Sequence, residues 1–213
     1  MRYPVGTEPV VLNGPFAGMK YLNEAVWGSI THLWIGSSKS ILWSAVDEII
    51  RTPYEVIIDA GCAEGYYVAG LSRLLKETTF YAFDLEAESR SQLSRLCNLN
   101  KPHGRVIIGE RFKIQDLDGL FSPRCLLICD IEGGEMHLLD PLKSVPPRNS
   151  DVLVEMHRAA SRTVEQNMSE LQTRFSDAHE TVAYQAATHL PCLIGIASLS
   201  EDLLRRATAL FVN

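Results

Sequence analysis

The sequence lacks several features that would assign it to a particular class of protein. Its five cysteines include no Cys-x-x-Cys pair, and their number is odd, so we expect buried, reduced thiols rather than a disulfide framework. No stretch approaches the roughly 18 apolar residues that a membrane-crossing helix needs. The first residues, MRYPVGTEPVV, contain no apolar run of signal-peptide length. These absences predict a cytoplasmic protein with no membrane partner.

A surplus of positive charge is also missing. The chain has 20 Lys and Arg residues against 26 Asp and Glu residues, which gives a formal net charge of -6. Proteins that neutralise phosphates need a basic surface, so we expect no nucleic-acid partner. The hydrophobic fraction of 46% is ordinary for a globular protein of 213 residues. Internal repeats, low-complexity segments and linkers are not apparent either, which favours one sizeable domain.

From residue 56 onward, short apolar runs alternate with helical patterns. This alternation predicts βαβ crossovers and a mostly parallel sheet of the Rossmann-like, doubly wound α/β class. Strands buried on both faces have near-continuous apolar sequences, as these do. Only about two helical turns fit between the last two strands, so we expect the final strand to be antiparallel. Seven strands are predicted, at residues 56–59, 79–84, 105–109, 125–130, 151–157, 180–187 and 207–213.

The first 54 residues differ from the rest. Glycine and proline are frequent in VVLNGPFAGMKYL, which predicts a hairpin or an irregular arm, and SSKSILWSAVDEIIR follows with one apolar helical face. We therefore predict an N-terminal extension over residues 1–54 that covers the sheet and is a candidate for substrate or homodimer contacts. Residues 55–213 form the predicted cofactor-binding domain.

The loop DAGCAEG, from Asp59 to Gly65, follows the first strand directly. Ligands of parallel sheets bind at the carboxyl ends of strands, and small residues such as Gly61 and Ala63 let the backbone approach them closely. The loop lacks the G-x-G-x-x-G dinucleotide fingerprint, and the charges of Asp59 and Glu64 would repel a pyrophosphate. S-adenosylmethionine carries a sulfonium and an ammonium but no phosphate. The loop therefore favours this cofactor.

A second acid supports the same ligand. FYAFD ends the second predicted strand with Asp84, about 20 residues after the glycine loop, where a carboxylate accepts hydrogen bonds from ribose hydroxyls. Glu86 is the reserve candidate for this role. The structural alternative is a tight turn between strand and helix, followed by a surface acid.

The segments resemble class I S-adenosylmethionine-dependent methyltransferases and, within them, the FkbM-like group. VIIDAGCAEGYYVAGL is similar to the group's first motif, and LLICDIEGGEMHLLDP resembles its Asp-x-Glu-Gly-x-Glu segment. The resemblance covers roughly residues 55–175. It implies a seven-stranded sheet with an antiparallel last strand, and methyl transfer to oxygen or nitrogen of a small molecule or sugar. In relatives, residues after the third strand often contact the adenine, which makes Asp116 a candidate for this contact; a solvated helix start is the alternative.

An acidic and imidazole-rich cluster follows the fourth and fifth predicted strands. These strands end at one edge of the sheet, so their polar groups meet beside the methyl donor, and Asp130 is also a candidate cofactor contact. The cluster contains Asp130, Glu132, Glu135, His137, Glu155 and His157.

Three roles for this cluster stay open. His157 or His137 suits a general base because the unperturbed pKa of imidazole is near neutral, with Glu132 and Asp130 as further catalytic candidates. Oxygen ligands from Asp130, Glu132 and Glu155, with an imidazole from His157, suit a divalent metal such as Mg²⁺. The third role is structural capping of the helix that follows.

These interpretations predict a methyltransferase (EC 2.1.1.-) that uses S-adenosylmethionine. The expected acceptor is an oxygen, less readily a nitrogen, of a small polar molecule such as a sugar or natural-product intermediate. One alternative is a catalytically silent cofactor-binding module that acts through a protein partner. Another is a nucleotide-binding oxidoreductase, which the acids of the loop disfavour.

Overall fold

A computed structural model describes residues 8–26, 28–140, 150–158, 162–184, 194–198 and 208–212. For residues 116–118, 194–198 and 208–212 it describes the backbone only. The chain divides into two compact units that interleave along the sequence. The first comprises Met1–Pro53 and Cys62–Arg111, and the second Tyr54–Gly61 and Phe112–Asn213.

The described residues form helices and strands in alternation. The helices are α1 (Ile30–Ile35), α2 (Trp43–Arg51), α3 (Tyr66–Leu74), α4 (Ala87–Asn100), α5 (Glu135–Leu138) and α6 (Val164–Phe175). Two 3₁₀ segments lie at Ser40–Leu42 and Ile114–Leu120. The strands are β1 (Val56–Ala60), β2 (Thr79–Phe83), β3 (Arg105–Gly109), β4 (Cys125–Cys129), β5 (Asp151–Met156), β6 (His179–Ala183), β7 (Ile194–Ser198) and β8 (Thr208–Val212).

The first unit is built around the parallel pair β2 and β3, in which Tyr81 lies opposite Ile107. The helix α4 connects these strands, and its buried face includes Leu93 and Leu96 at helical spacing. Lys101 caps its carboxyl end: this residue adopts the left-handed conformation and donates its N–H to the carbonyl of Cys97. An antiparallel bridge between Val10 and Lys20, outside any strand, closes a short turn in the N-terminal segment.

The second unit contains the buried parallel strands β1, β4 and β5. Ile58 lies opposite Leu127, and Ile128 opposite Leu153. Every residue of β4 and of β5 is buried, which explains the uninterrupted apolar character of CLLIC. The strand β7 pairs antiparallel with β5 and β6, whereas β8 pairs parallel with both of them.

The α/β class with parallel strands is confirmed, but the predicted count of seven strands and the direction of the last strand are wrong. The described chain has eight strands, and the additional one is β7, whose sequence IGIAS was not recognised. Its interior glycine and its length of five residues weaken the strand signal. The antiparallel strand is therefore β7, and the final strand β8 runs parallel to β5.

The N-terminal residues contain less regular structure than the rest. The helix α2 buries Val46 and Ile49, as its apolar periodicity predicts, and begins at Trp43 after a 3₁₀ turn. Among the described residues, no helix combines the length and the apolar character that crossing a bilayer requires.

Candidate functional site

The turn that precedes α3 is hydrogen-bonded to the end of β2. The carboxylate of Asp84 accepts the N–H of Ala63 at one oxygen (2.9 Å) and the N–H of Glu86 at the other (2.9 Å). The N–H of Cys62 donates to the carbonyl of Phe83 (3.0 Å). Asp84 is partly exposed. This residue, predicted to bind ribose, thus links the glycine-containing loop to the strand before it.

The backbone of the turn requires small residues. Ala63 has φ 47° and Gly65 has φ 89°, both in the left-handed region that most side chains avoid. A Cβ atom at Gly65 would lie 2.2 Å from a methyl group of Leu93. The spacing of small residues in this loop therefore has a steric cause within the first unit.

The sequence predicted that Glu64 acts on the ligand from the loop, but its side chain contacts Tyr21. Its side chain is buried, with 5% exposure, and its Oε1 accepts a hydrogen bond from the Tyr21 hydroxyl (3.0 Å). Burial, followed by the charge of Glu64, raises the pKa of Tyr21 well above its ordinary value, so the hydroxyl stays protonated and donates. Sequence reasoning missed Tyr21 because no local pattern predicts a partner 43 positions away.

The other half of the loop belongs to the second unit. Asp59, at the end of β1, is buried with 2% exposure. Gly61 has φ 84°, and a Cβ atom there would lie 1.6 Å from the carbonyl oxygen of Asp130. The N–H of Asp130 donates to the carbonyl of Ala60 (2.9 Å). Only glycine fits between the ends of β1 and β4.

His157 lies at the centre of the predicted cluster. Its Nδ1 is 2.9 Å from Oε1 of Glu135, and its Nε2 is 3.8 Å from Asp130 and 3.6 Å from Glu132. Glu135 is almost fully buried, and the same Oε1 accepts the N–H groups of Ile131 (3.3 Å) and Gly133 (3.0 Å). One carboxylate oxygen thus fixes both the His157 ring and the turn after β4. The sequence cluster contained Glu135, but no role was predicted for it.

The pKa of His157 is higher than that of a general base that is unprotonated at neutral pH. Burial lowers this pKa, but the hydrogen bond and charge of Glu135, together with the charges of Asp130 and Glu132, raise it to about 9. At neutral pH the ring is therefore an imidazolium, which donates protons rather than accepting them. The expectation that His157 keeps the ordinary pKa of a free imidazole is not met.

A possible cation position lies in the same cluster. Ligand atoms of Asp130, Glu155 and His157 lie within 4.8 Å of one another, and Glu155 is buried. Glu132, predicted as a metal ligand with Asp130 and Glu155, has a side chain that is 83% exposed and lies at the rim. Two carboxylates and one neutral imidazole form a donor set that hard divalent cations accept, so a bound cation would displace the proton that His157 carries at neutral pH.

The remaining predicted residues lie outside these two clusters or outside the described side chains. Glu86 and His137 are exposed, the latter on the short helix α5. The side chain of Asp116 is not among those that the structure describes. Cys62, Cys97, Cys125 and Cys129 are buried, as expected. Burial raises the pKa of Cys97 to about 11 and that of Cys125 to about 12, so neither is a nucleophile at neutral pH.

Comparison with known proteins identifies the fold. A scan against protein-family models gives no match, and neither does a search of the curated proteins. Among solved structures, a candidate rRNA methylase from Clostridium thermocellum matches with a TM-score of 0.55 at 14% identity, covering 75% of this chain and 96% of that chain. TYW2 from Pyrococcus horikoshii, in complex with MeSAdo, matches with a TM-score of 0.51 at 10% identity, covering 91% and 68%.

A third structure, the ribosomal protein L11 methylase from Lactobacillus delbrueckii subsp. bulgaricus, has a TM-score of 0.51 at 14% identity and covers 75% and 77%. Identities this low establish the fold alone, and membership of the FkbM-like group stays a prediction. The chain has the Rossmann-like α/β fold that class I S-adenosylmethionine-dependent methyltransferases adopt.

Proposed function

We propose that this protein is an S-adenosylmethionine-dependent methyltransferase. The proposal rests chiefly on one observation: the carboxylate of Asp84, a partly exposed residue, accepts the N–H of Ala63 from the glycine-containing loop (2.9 Å). A carboxylate at this position, next to a tight loop at the end of a strand, is suited to accept both ribose hydroxyls of a nucleoside cofactor. The fold, shared with a TYW2 structure that contains MeSAdo, supports the same ligand class.

The charge of the loop distinguishes among nucleoside cofactors. Asp59 and Glu64 are both buried acids in one continuous loop of the chain. A pyrophosphate in such a loop meets negative charge, whereas a sulfonium and an ammonium gain attraction from it. We assign Asp84 to the ribose, with Glu86 and Asp116 as lesser candidates.

The cluster around His157 is proposed to serve the methyl acceptor. Because His157 is protonated at neutral pH, we assign it to charge stabilisation and orientation. Proton acceptance then passes to a carboxylate, Asp130 or Glu132. Methyl transfer needs an in-line arrangement of nucleophile and sulfonium, so positioning supplies most of the rate. A divalent cation at Asp130, Glu155 and His157 is the alternative to this imidazolium, because it would need the neutral ring as a ligand; it would then orient acceptor oxygens and favour their deprotonation.

The test of the cofactor assignment is a set of binding titrations. Wild-type protein is expected to bind S-adenosylmethionine and S-adenosylhomocysteine but not NAD. Asp84→Asn keeps the shape but removes the charge, so we expect about 10- to 100-fold weaker binding, because hydrogen bonds to charged groups contribute about 1.5–3 kcal/mol. Glu77→Gln is the matched control, an exposed acid of the same unit. Equal affinity of wild type and Asp84→Asn would contradict the assignment.

The acceptor is proposed to be a small polar molecule, methylated on oxygen. Two of the matched structures are named as methylases of rRNA and of ribosomal protein L11, so macromolecular acceptors are the competing class. The net charge of -6 disfavours RNA because its phosphates need basic partners. We expect the protein to release S-adenosylhomocysteine when a low-mass extract is present, but not with purified RNA or ribosomal protein. Release with RNA alone would overturn this part of the proposal.

A silent cofactor-binding module is the second candidate. The observation in its favour is the raised pKa of His157, which removes one neutral base from the cluster at neutral pH. A silent module would bind S-adenosylmethionine yet release no S-adenosylhomocysteine with any acceptor fraction. It would also tolerate Glu132→Ala and His157→Ala without loss of partner binding.

A further inference from the structure

Glu64 is a buried acid, and its partner comes from a distant segment of the chain. Both Glu64 and Tyr21 are almost fully buried, at 5% and 2% exposure, and the hydroxyl of Tyr21 lies 3.0 Å from Oε1 of Glu64. A carboxylate taken out of water is stable only when hydrogen bonds replace those of water. The Tyr21 hydroxyl supplies such a bond, and its raised pKa keeps the proton in place.

The position of Tyr21 is set by its own segment. The N–H of Tyr21 donates to the carbonyl of Pro9 (2.8 Å), and the N–H of Val11 donates to the carbonyl of Met19 (2.8 Å). The ring of Tyr21 makes an edge contact with Tyr66, with centroids 6.2 Å apart. The backbone of Tyr21 is therefore held by its own segment, and its ring by the first residue of α3.

The N-terminal segment also packs on α3 at a second point. Phe16 contacts Gly70 so closely that a Cβ atom there would lie 2.5 Å from its ring, and Phe16 makes an edge contact with Tyr66 at 5.2 Å. Arg73 donates to the carbonyl of Ala17 (3.3 Å). Tyr21 is therefore connected to the first turn of α3 through packed contacts as well as through Glu64.

Two tethers from different parts of the unit thus meet on consecutive residues of one turn. Asp84 accepts the N–H of Ala63, and Tyr21 donates to the side chain of Glu64. Ala63, next to Glu64, has a left-handed backbone, which a residue with a Cβ adopts only at a cost in free energy that the surrounding contacts must offset. Loss of either tether releases the same turn.

We infer that Tyr21 is a positioning residue for S-adenosylmethionine, acting through Glu64 on the turn that receives the cofactor. This inference rests on the proposed function, because the turn is assigned to the cofactor there. It extends the cofactor site to the N-terminal segment. The consequence is that one buried hydroxyl, far away in sequence, sets cofactor affinity.

The test is Tyr21→Phe, which keeps the ring against Tyr66 and removes only the hydroxyl. We expect S-adenosylmethionine to bind about 5- to 20-fold more weakly, measured by calorimetry well below the melting temperature. Tyr81→Phe, a half-buried tyrosine of β2 in the same unit, should bind as wild type does. A lower melting temperature of Tyr21→Phe with wild-type affinity would show a purely structural role and overturn the inference.

A second comparison isolates the route through Glu64. In the Glu64→Gln background the charge is absent, and neutral hydrogen bonds are about half as strong, so Tyr21→Phe should weaken binding by only about 2- to 4-fold. An undiminished effect in that background would overturn the route through this carboxylate. Failure of wild-type protein to bind S-adenosylmethionine would instead refute the proposed function itself, so the two failures are distinguishable.

Discussion

At the scale of single residues, steric limits define the glycine-containing loop as much as polar contacts do. Gly61 is the most restrictive position, because a Cβ atom there would meet the carbonyl of Asp130 at 1.6 Å. Ala63 shows the opposite case, a residue with a Cβ that adopts φ 47° because Asp84 holds its N–H. The sequence shows that small residues recur in this loop, and the structure gives the steric reason for Gly61 and the hydrogen bond that holds Ala63.

Gly61→Ala should destabilise the second unit and abolish cofactor binding. The left-handed backbone at φ 84° contributes about 1–3 kcal/mol of strain for a residue with a Cβ, and the overlap with Asp130 adds to it. Urea denaturation followed by circular dichroism measures the loss. Gly119→Ala is the control, since a Cβ there has no heavy atom within 4 Å and should change stability by less than about 0.5 kcal/mol. Wild-type stability of Gly61→Ala would refute the steric argument.

His157 should titrate with a pKa of about 9 in the folded protein, as followed by its ring resonances in metal-free buffer. Because this pKa is raised above the ordinary value of about 6.5, the protonated ring stabilises the folded state. That contribution is fully present below about pH 6.5 and is lost as the pH rises through about 9. His157→Gln should show less loss of unfolding free energy over this interval. A folded-state pKa near 6.5 would contradict the assigned role of Glu135.

At the scale of secondary-structure elements, helix α6 fixes the end of β5. The buried side chain of Asn167 donates to the carbonyl of His157 (3.1 Å). The helix begins with a capping box in which Thr163 and Gln166 exchange hydrogen bonds. The register of α6 therefore determines where the backbone of His157 lies.

Asn167→Ala should lower the free energy of unfolding by about 1–3 kcal/mol, because it leaves a carbonyl of His157 without this donor. It should also shift the ring resonances of His157. Chemical denaturation and NMR provide the two readouts. Ser169→Ala, an exposed position of the same helix, serves as the control and should change neither. Unchanged His157 resonances in Asn167→Ala would argue that α6 does not position the ring.

Elements were predictable from the sequence where the apolar run is continuous. The strands β1, β2, β3 and β4 lie within a residue of their predicted bounds, because apolar runs between turn residues have few alternative structures. The strand β7 was missed because a glycine and small residues interrupt its apolar pattern. The pairing of Tyr21 with Glu64 and of His157 with Glu135 could not be predicted, since both depend on contacts between segments distant in sequence.

At the scale of the whole molecule, the proposed function makes stability depend on the cofactor. A ligand that binds only the folded protein stabilises it by about 2.7 kcal/mol at one hundred times its dissociation constant. For a chain of this size we expect the melting temperature to rise by about 5–10 °C with S-adenosylhomocysteine. NAD should leave it unchanged. An equal rise with NAD would favour a nucleotide-binding oxidoreductase.

The division into an extension over residues 1–54 and a cofactor-binding domain over residues 55–213 stays a prediction. The first compact unit combines the N-terminal residues with Cys62–Arg111, so the extension shares a unit with half of the glycine-containing loop. This shared unit agrees with the inferred role of Tyr21, through which the N-terminal segment acts on the loop. The predicted cytoplasmic location and homodimer likewise await experiment.

The most direct test of the central claim is a crystal structure of the protein with S-adenosylhomocysteine. The account predicts that both ribose hydroxyls lie within hydrogen-bonding distance of the Asp84 carboxylate, and that the backbone of Ala63 contacts the ligand. A ligand bound elsewhere, with Asp84 still engaged only by the N–H groups of Ala63 and Glu86, would contradict it.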